Sequence, residues 1–302
     1  MKKLNNPYIV NSISELHRAN GMPEPEHPLV SFIRFEDIID SPANFETGLV
    51  MNFYMIAIKK DVKGKIRYGQ NYYDFDEGVM SFIAPGQLCY EERENRIPKG
   101  YMLMFHPDFL MGSPLARKIK NYEFFSYAIN EALYLSKKEE AMIEGIMENI
   151  AQEYHNNIDS FTHDLILSHI ELLLNYSDRF YNRQFITRKQ ANNELLTRIE
   201  TWLNNYFSKD EINGLPAVKD LAAHLNVSAG YLSSMLRAHT GQNAQQHIHG
   251  KLIEKAKEIL STTPLTVSEI AYRLGFEHPQ SFSKLFKSKT DVSPLEYRKL
   301  FN

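Results

Sequence analysis

The chain has 302 residues, 43% hydrophobic and 24% charged, with a net charge of −3. That length suits two domains of ordinary size, and the apolar share excludes a disordered chain. The single cysteine, Cys89, excludes an internal disulfide and a cysteine-rich zinc site, and reads as a reduced thiol near a strand end.

Met1 to Val10 has two lysines with no apolar run behind them, which is not the pattern of a secretory signal. No stretch approaches the ~20 apolar residues of a membrane-spanning helix. The expectation is a cytoplasmic protein with no membrane partner. From Leu29 the pattern is one of short strands: 29–35, 53–58, 66–68, 72–75, 78–83 and 101–105, rich in aromatic and β-branched residues. Lys63-Gly64, Gly69, Glu77-Gly78, Pro85-Gly86 and Pro98 to Gly100 separate them. This spacing predicts a small barrel or sandwich.

After Leu110 the pattern turns helical. Ser136 and Glu139 make a capping box, and Met142, Ile143, Ile146, Ile150 and Tyr154 then share one helix face. A second helix, from Ser160 to about Tyr181, carries a broad apolar surface of Leu165, Leu172, Leu173, Tyr176 and Phe180. The polar stretch 182–193 reads as a linker. Beyond it everything is helical. Leu195, Leu196, Ile199, Trp202, Leu203 and Tyr206 form one stripe, and a long helix from Ala244 to Leu260 is stopped by Pro264. Ser293 and Glu296 open the last helix with another capping box.

Residues 1–211 carry a net charge of −7 and residues 212–302 a net charge of +4. A basic tail on an acidic body points to an anionic partner, with nucleic acid the first candidate. The tail also repeats itself. Val218, Leu221, Ala222 and Leu225 recur 49 positions later as Val267, Ile270, Ala271 and Leu274. Leu232, Met235, Leu236, Arg237 and Thr240 recur 50 positions later as Phe282, Leu285, Phe286, Lys287 and Thr290. Each copy has the parts of a helix-turn-helix: a short first helix with a small residue at the crossing, a tight turn (Asn226-Val227 or Gly275-Phe276), and a second helix with one apolar and one polar face. Asn and Gly both tolerate the left-handed backbone that ends a helix.

The strings Val218 to Leu236, Thr240-Gly241, Lys251 to Ala256, Ile270 to Phe276, Ser281 to Lys287 and Val292 to Arg298 together resemble the AraC/XylS family of bacterial transcription regulators, from about Trp202 to Asn302. The resemblance implies a DNA-binding domain of two helix-turn-helix units joined by a long helix. This chain departs from the family where Ser234 replaces a basic residue, Leu236 a phenylalanine, Asp291 a glycine and Lys251 an arginine. Ser234 implies fewer strong base contacts by the first unit. On the sides left open by the apolar pattern lie Ala229, Gly230, Ser233, Ser234 and Arg237 in the first recognition helix, and His278, Gln280, Ser281, Ser283, Lys284 and Lys287 in the second. Gln280 suits an adenine edge and Lys284 a guanine, while Arg237 and Lys287 suit phosphates.

The front half, on Gly78 to Gly86 and a β region followed by two helices, resembles the cupin-like sensing domain of the same family. The expected fold class is therefore α+β: a small cupin-like β-barrel with helices from about residue 113, then the all-α double helix-turn-helix domain. The expected boundaries are 1–181, a linker at 182–193, and 194–302. The resemblance implies double-stranded DNA, a small-molecule effector, a homodimer formed through the N-terminal domain, and RNA polymerase as partners, with activation as the habit of the family. Tyr54, Tyr68, Tyr72, Tyr73 and Phe82 are the candidate effector-pocket residues. No catalytic residue, cofactor site or metal site is expected: His17, His27 and His106 are scattered, and no phosphate loop or nucleophile motif is present. Two alternatives stay open on the sequence alone, a front half that only dimerises and a metal-dependent cupin enzyme.

Overall fold

A computed structural model describes residues 7–38, 48–60, 65–68, 71–74, 78–89, 99–128, 131–156, 159, 161–187, 189–209 and 214–300, with the side chains of 65–68, 71–74 and 189–192 left undescribed. The chain forms two compact units, Met1–Gln184 and Phe185–Asn302.

The first unit contains β1 (Tyr8–Val10), α1 (Ile13–Ala19), β2 (Val30–Arg34), β3 (Leu49–Met51), β4 (Tyr54–Lys60), β5 (Lys65–Tyr68), β6 (Asn71–Asp74), β7 (Val79–Ile83), β8 (Leu88–Cys89), β9 (Lys99–Phe105), α2 (Leu115–Lys118), β10 (Leu133–Tyr134), α3 (Lys137–His155) and α4 (Thr162–Thr187). Every strand read from the sequence is present. The short β1, β3, β8 and β10 were not legible there. They have two or three residues each and owe their strand form to their partners.

A five-stranded sheet runs in the order β10-β7-β4-β9-β2, beside a three-stranded sheet β1-β3-β8 and the β5–β6 hairpin. Alternation divides the large sheet into two faces. Ile33, Ala57, Ile83, Met102 and Met104 meet Val10, Leu49, Met51 and Cys89 of the small sheet in one core. On the opposite face Phe82 packs on Phe124, Phe125 and Tyr181, with ring centroids 4.5, 5.8 and 6.0 Å away. Burial on both faces explains why β4 and β9 read as nearly continuous apolar runs.

The expected closed barrel is not seen among the described residues: no sheet closes, and β10 and β2 remain the edges of the large sheet. The outer edge of β10 is taken by α4 instead. The Tyr134 N–H donates to Gln184 Oε1 (2.8 Å), the Tyr134 carbonyl accepts from Arg183 Nη2 (2.8 Å), and Gln184 Nε2 donates to the Ala132 carbonyl (3.3 Å). Helix side chains thus satisfy the groups that barrel closure would have paired with a strand. Arg183 also grips the capping-box carboxylate of Glu139 at 3.0 and 2.6 Å.

The second unit is all helical: α5 (Lys189–Phe207), α6 (Val218–Leu225), α7 (Ala229–Thr240), α8 (Ala244–Thr262), α9 (Val267–Arg273), α10 (Pro279–Thr290) and α11 (Pro294–Arg298). The polar stretch 182–193 is helical at its described residues, in α4 to Thr187 and in α5 from Lys189, and the boundary between units falls at its N-terminal end. Ile199, Leu203, Leu221, Leu225, Leu232, Leu236, Ile248 and Leu252 are all buried in the first half of this unit. Ala256, Ile259, Leu260, Ile270, Leu274, Phe282 and Phe286 are buried in the second. With 19 residues, α8 is about 28 Å long and contributes to both halves.

Candidate nucleic-acid interface

The duplication in the sequence is a duplication of geometry. The turn after α6 puts Asn226 at φ 58° and the turn after α9 puts Gly275 at φ 86°, the left-handed conformation expected at both positions. The helices α7 and α10 end on left-handed residues too, Gly241 (φ 74°) and Asp291 (φ 62°). Here glycine is the easier residue, which explains what the aspartate departure costs. The repeated threonines have one role. Thr240 Oγ1 donates to the Leu236 carbonyl (2.8 Å) and Thr290 Oγ1 to the Phe286 carbonyl (2.8 Å), closing the last turn of each second helix.

One face of each second helix is buried and the other is open. Tyr231, Leu232, Met235 and Leu236 of α7 are buried, as are Phe282 and Phe286 of α10 and Phe276 before it. Leu285 is half-buried. On α7, Ala229 and Arg237 are exposed while Gly230, Ser233 and Ser234 are half-buried. On α10, His278, Gln280, Ser281, Lys284 and Lys287 are exposed and Ser283 is half-buried. All eleven residues singled out from the sequence therefore retain access to solvent.

Helix-end charges separate the second helices from the first ones. In α6, α9 and α11 an acid sits in the first turn and takes the backbone N–H of the residue before the helix: Asp220 from Ala217 (3.2 Å), Glu269 from Thr266 (2.7 Å) and Glu296 from Ser293 (2.7 Å). Those backbone bonds hold the Glu269 and Glu296 carboxyls below the usual range. By contrast α7 and α10 have no acid in the first turn, and their last turns carry Arg237 and His239, or Lys287 and Lys289. Ser228 caps α7 as a neutral acceptor, taking the Tyr231 N–H at 3.2 Å. The first turns of both thus lack a carboxylate, an arrangement that favours an approaching phosphate, with Glu277 standing one residue before the His278 cap of α10.

A helix-turn-helix domain family model matches residues 221–300. The chain is 31% identical over 144 residues to an uncharacterized HTH-type transcriptional regulator, YfiF, of Bacillus subtilis (strain 168), a match covering 48% of this chain and 43% of that protein. It is 30% identical over 109 residues to the HTH-type transcriptional activator RhaS of Enterobacter sp. (strain 638), covering 36% of this chain and 37% of that one. Among solved structures, it is similar to the C-terminal domain of the two-component response regulator yesN from Fusobacterium nucleatum, at 32% identity and TM-score 0.31, covering 36% of this chain and 98% of that one. The C-terminal unit is an AraC-type helix-turn-helix domain. The chain spans less than half the length of the curated relatives it matches, and these matches leave the sensing domain expected in the first unit without support of its own. The AraC-type unit retains a net charge of +4 when counted from Phe185.

Of the five candidate effector residues, only Tyr54 and Phe82 have described side chains, and both pack on Phe125. Phe82 is 4% exposed and belongs to the aromatic core. Tyr54 is half-buried, stacked on Phe105 (5.1 Å) and edge-on to Phe125 (5.0 Å), and burial raises its hydroxyl pKa. It lines a cleft of about 380 Å³ with Ala84, Ile119, Lys120, Tyr122 and Phe125. Tyr68, Tyr72 and Tyr73 stand in β5 and β6, whose side chains lie outside the described residues. His106, Pro107 and Asp108 form a turn in which His106 Nδ1 accepts the Asp108 N–H at 3.2 Å. Among the described residues, no group of three or more His, Cys, Asp or Glu is placed to hold a metal ion, and no helix is long and apolar enough to cross a membrane.

Sequence reading missed the role of Arg298. Its guanidinium donates to the Leu260 carbonyl (3.2 Å) and the Leu265 carbonyl (2.5 Å), tying α11 to the end of α8 and to the loop before α9. Its position in the last motif string was the available signal. The partners lie 38 and 33 residues away, so periodicity did not reveal the bonds.

Proposed function

We propose that this chain is a sequence-specific transcriptional regulator that contacts double-stranded DNA through both helix-turn-helix pairs of its AraC-type unit. The observation that carries the reading is the pair of second helices, 50 residues apart, each buried on one face, acid-free in its first turn, and polar or basic on the open face. In this reading α7 presents Ala229, Gly230, Ser233, Ser234 and Arg237 to one major groove. α10 presents His278, Gln280, Ser281, Ser283, Lys284 and Lys287 to the next. Gln280 pairs with an adenine edge and Lys284 with guanine, while Arg237 and Lys287 hold phosphates. Successive grooves on one DNA face are about 34 Å apart, a span that α8 and its flanking turns approach. A joint of fixed length adds readout of DNA bending. The second pair, richer in cations, carries more of the direct polar readout.

The first unit is proposed to regulate the second from the cytoplasm. An effector role is supported by the cleft beside Tyr54, within the lower volume range of small-molecule sites. Homodimerisation is supported by Phe161, just before α4, and by Leu165 and Leu172 on it, which are 68%, 44% and 41% exposed. Activation is supported by the name of the RhaS transcriptional activator among the relatives, and RNA polymerase is the partner proposed for it. If the first unit only dimerises, thermal-shift screening against small molecules returns no stabilising ligand.

Selection of bound duplexes from a random library, followed by footprinting, tests the central reading. The expected product is a site with two protected segments about one helical turn apart. Lys284→Ala then weakens binding to that site by about 1–3 kcal/mol and relaxes one base position. A library that enriches no sequence overturns the reading.

A further inference from the structure

The last turn of α4 ends inside the DNA-binding unit. Phe185 is 2% exposed, and its ring stands edge-on to Tyr231 in the first turn of α7, with centroids 5.1 Å apart. The Phe185 carbonyl accepts from Nε2 of His239, near the other end of the same helix, at 2.7 Å. This carbonyl is among the last four of α4, which a helix of those bounds leaves without a partner of its own. Tyr231 and His239 are eight residues apart, about 12 Å along the axis, so one residue touches both ends of α7.

Among the described residues the second copy of the motif shows no equivalent. Fifty positions after Tyr231 and His239 stand Ser281 and Lys289, both exposed. The repeat keeps its inner apolar positions, Leu232, Met235 and Leu236 against Phe282, Leu285 and Phe286. It changes at the two positions that Phe185 touches. Change at the two contacted positions, with the inner apolar positions retained, marks Tyr231 and His239 as fitted to the turn of α4, as the change from Ser234 to Lys284 marks the open face.

We infer that the last turn of α4 is a working part of the first helix-turn-helix, with His239 the positioning residue that sets α7 against it. The inference deepens the proposed function, since α7 is there a DNA-reading helix. Gln184 is bonded within the first unit, to Tyr134 and Ala132, and Phe185 within the second, to His239.

The test uses the full-length chain with His239→Ala and His239→Gln, the second of which keeps an N–H donor at similar reach. Hydrogen exchange of the free protein is measured in α7 and α10, and footprints are taken on the selected duplex. His239→Ala is expected to speed exchange in α7 roughly fivefold, the worth of one ordinary hydrogen bond, with α10 unchanged. Protection is expected to weaken by a similar factor only over the segment served by the first pair, and His239→Gln restores both. Unchanged α7 exchange, equal change in α10, even weakening over both segments, or failure of the glutamine to restore would each overturn the inference. If the wild-type chain selects no DNA, the regulator reading falls, and the exchange contrast between α7 and α10 still decides the role of His239.

Discussion

Gly275→Ala tests the turn of the second helix-turn-helix, and Gly241→Ala is its control. Both glycines are left-handed, at φ 86° and φ 74°. A Cβ on either residue carries the backbone penalty of about 1–2 kcal/mol, partly offset by about 0.4–1 kcal/mol from a stiffer unfolded chain. The surroundings differ. At position 241 the new carbon meets nothing within 4 Å, whereas at 275 it lands 2.5 Å from the Gly214 carbonyl oxygen and 2.6 Å from its carbon. Both obstacles are backbone, so no rotamer change clears them, and overpacking of this kind costs about 1–3 kcal/mol more. Native-state hydrogen exchange by mass spectrometry reads α9 and α10 directly, without assuming that the two units unfold together. Gly275→Ala should exchange about 5–150-fold faster there than Gly241→Ala, which corresponds to that difference. Equal exchange in the two variants would refute the close approach of the turn to Gly214.

Asp291→Gly should raise stability by about 0.5–1 kcal/mol, because it removes a side chain from a left-handed position, and thermal unfolding checks the sign. Arg298→Ala loses two donors to backbone carbonyls and should cost about 1–3 kcal/mol, with faster hydrogen exchange in α11 and at the end of α8. Burial first, then the neighbouring charge of His163 or Lys289, lowers the pKa values of His27 and His249 below 6.5. Burial lowers that of His247, against a smaller opposing effect from Glu200. A histidine depressed in the folded state takes up its proton more readily when unfolded. The stability these three contribute should be intact above pH 6.5 and lost as pH falls through their folded values, a slope that replacing all three with glutamine flattens in urea titrations. Burial pushes the Cys89 thiol up to about 11, so the native protein at pH 7.5 should react with iodoacetamide far more slowly than the urea-unfolded chain.

The AraC-type unit was the more legible half, for a physical reason. Its helices are defined by contacts three and four residues apart and by caps within a turn, so Val218 to Leu225, Ser293 with Glu296, and the left-handed Asn226 and Gly275 are written locally. Duplication then doubled the signal at offsets of 49 and 50. The open faces of α7 and α10 followed by subtraction from the apolar pattern. In the first unit the sequence alone determined the longer strands, because alternation and breakers are local too. It did not determine what lies against their edges. Whether β10 pairs with another strand or with Gln184 and Arg183 is a choice between partners some 50 residues away, and both leave the same apolar pattern behind. Tertiary structure decided against a closed barrel on that point. It also decided that Arg298 clamps two distant carbonyls and that Phe185, at the edge of an apparent linker, is buried against α7. Periodicity records which face of an element is covered, while the identity of the cover is settled only when the chain is packed.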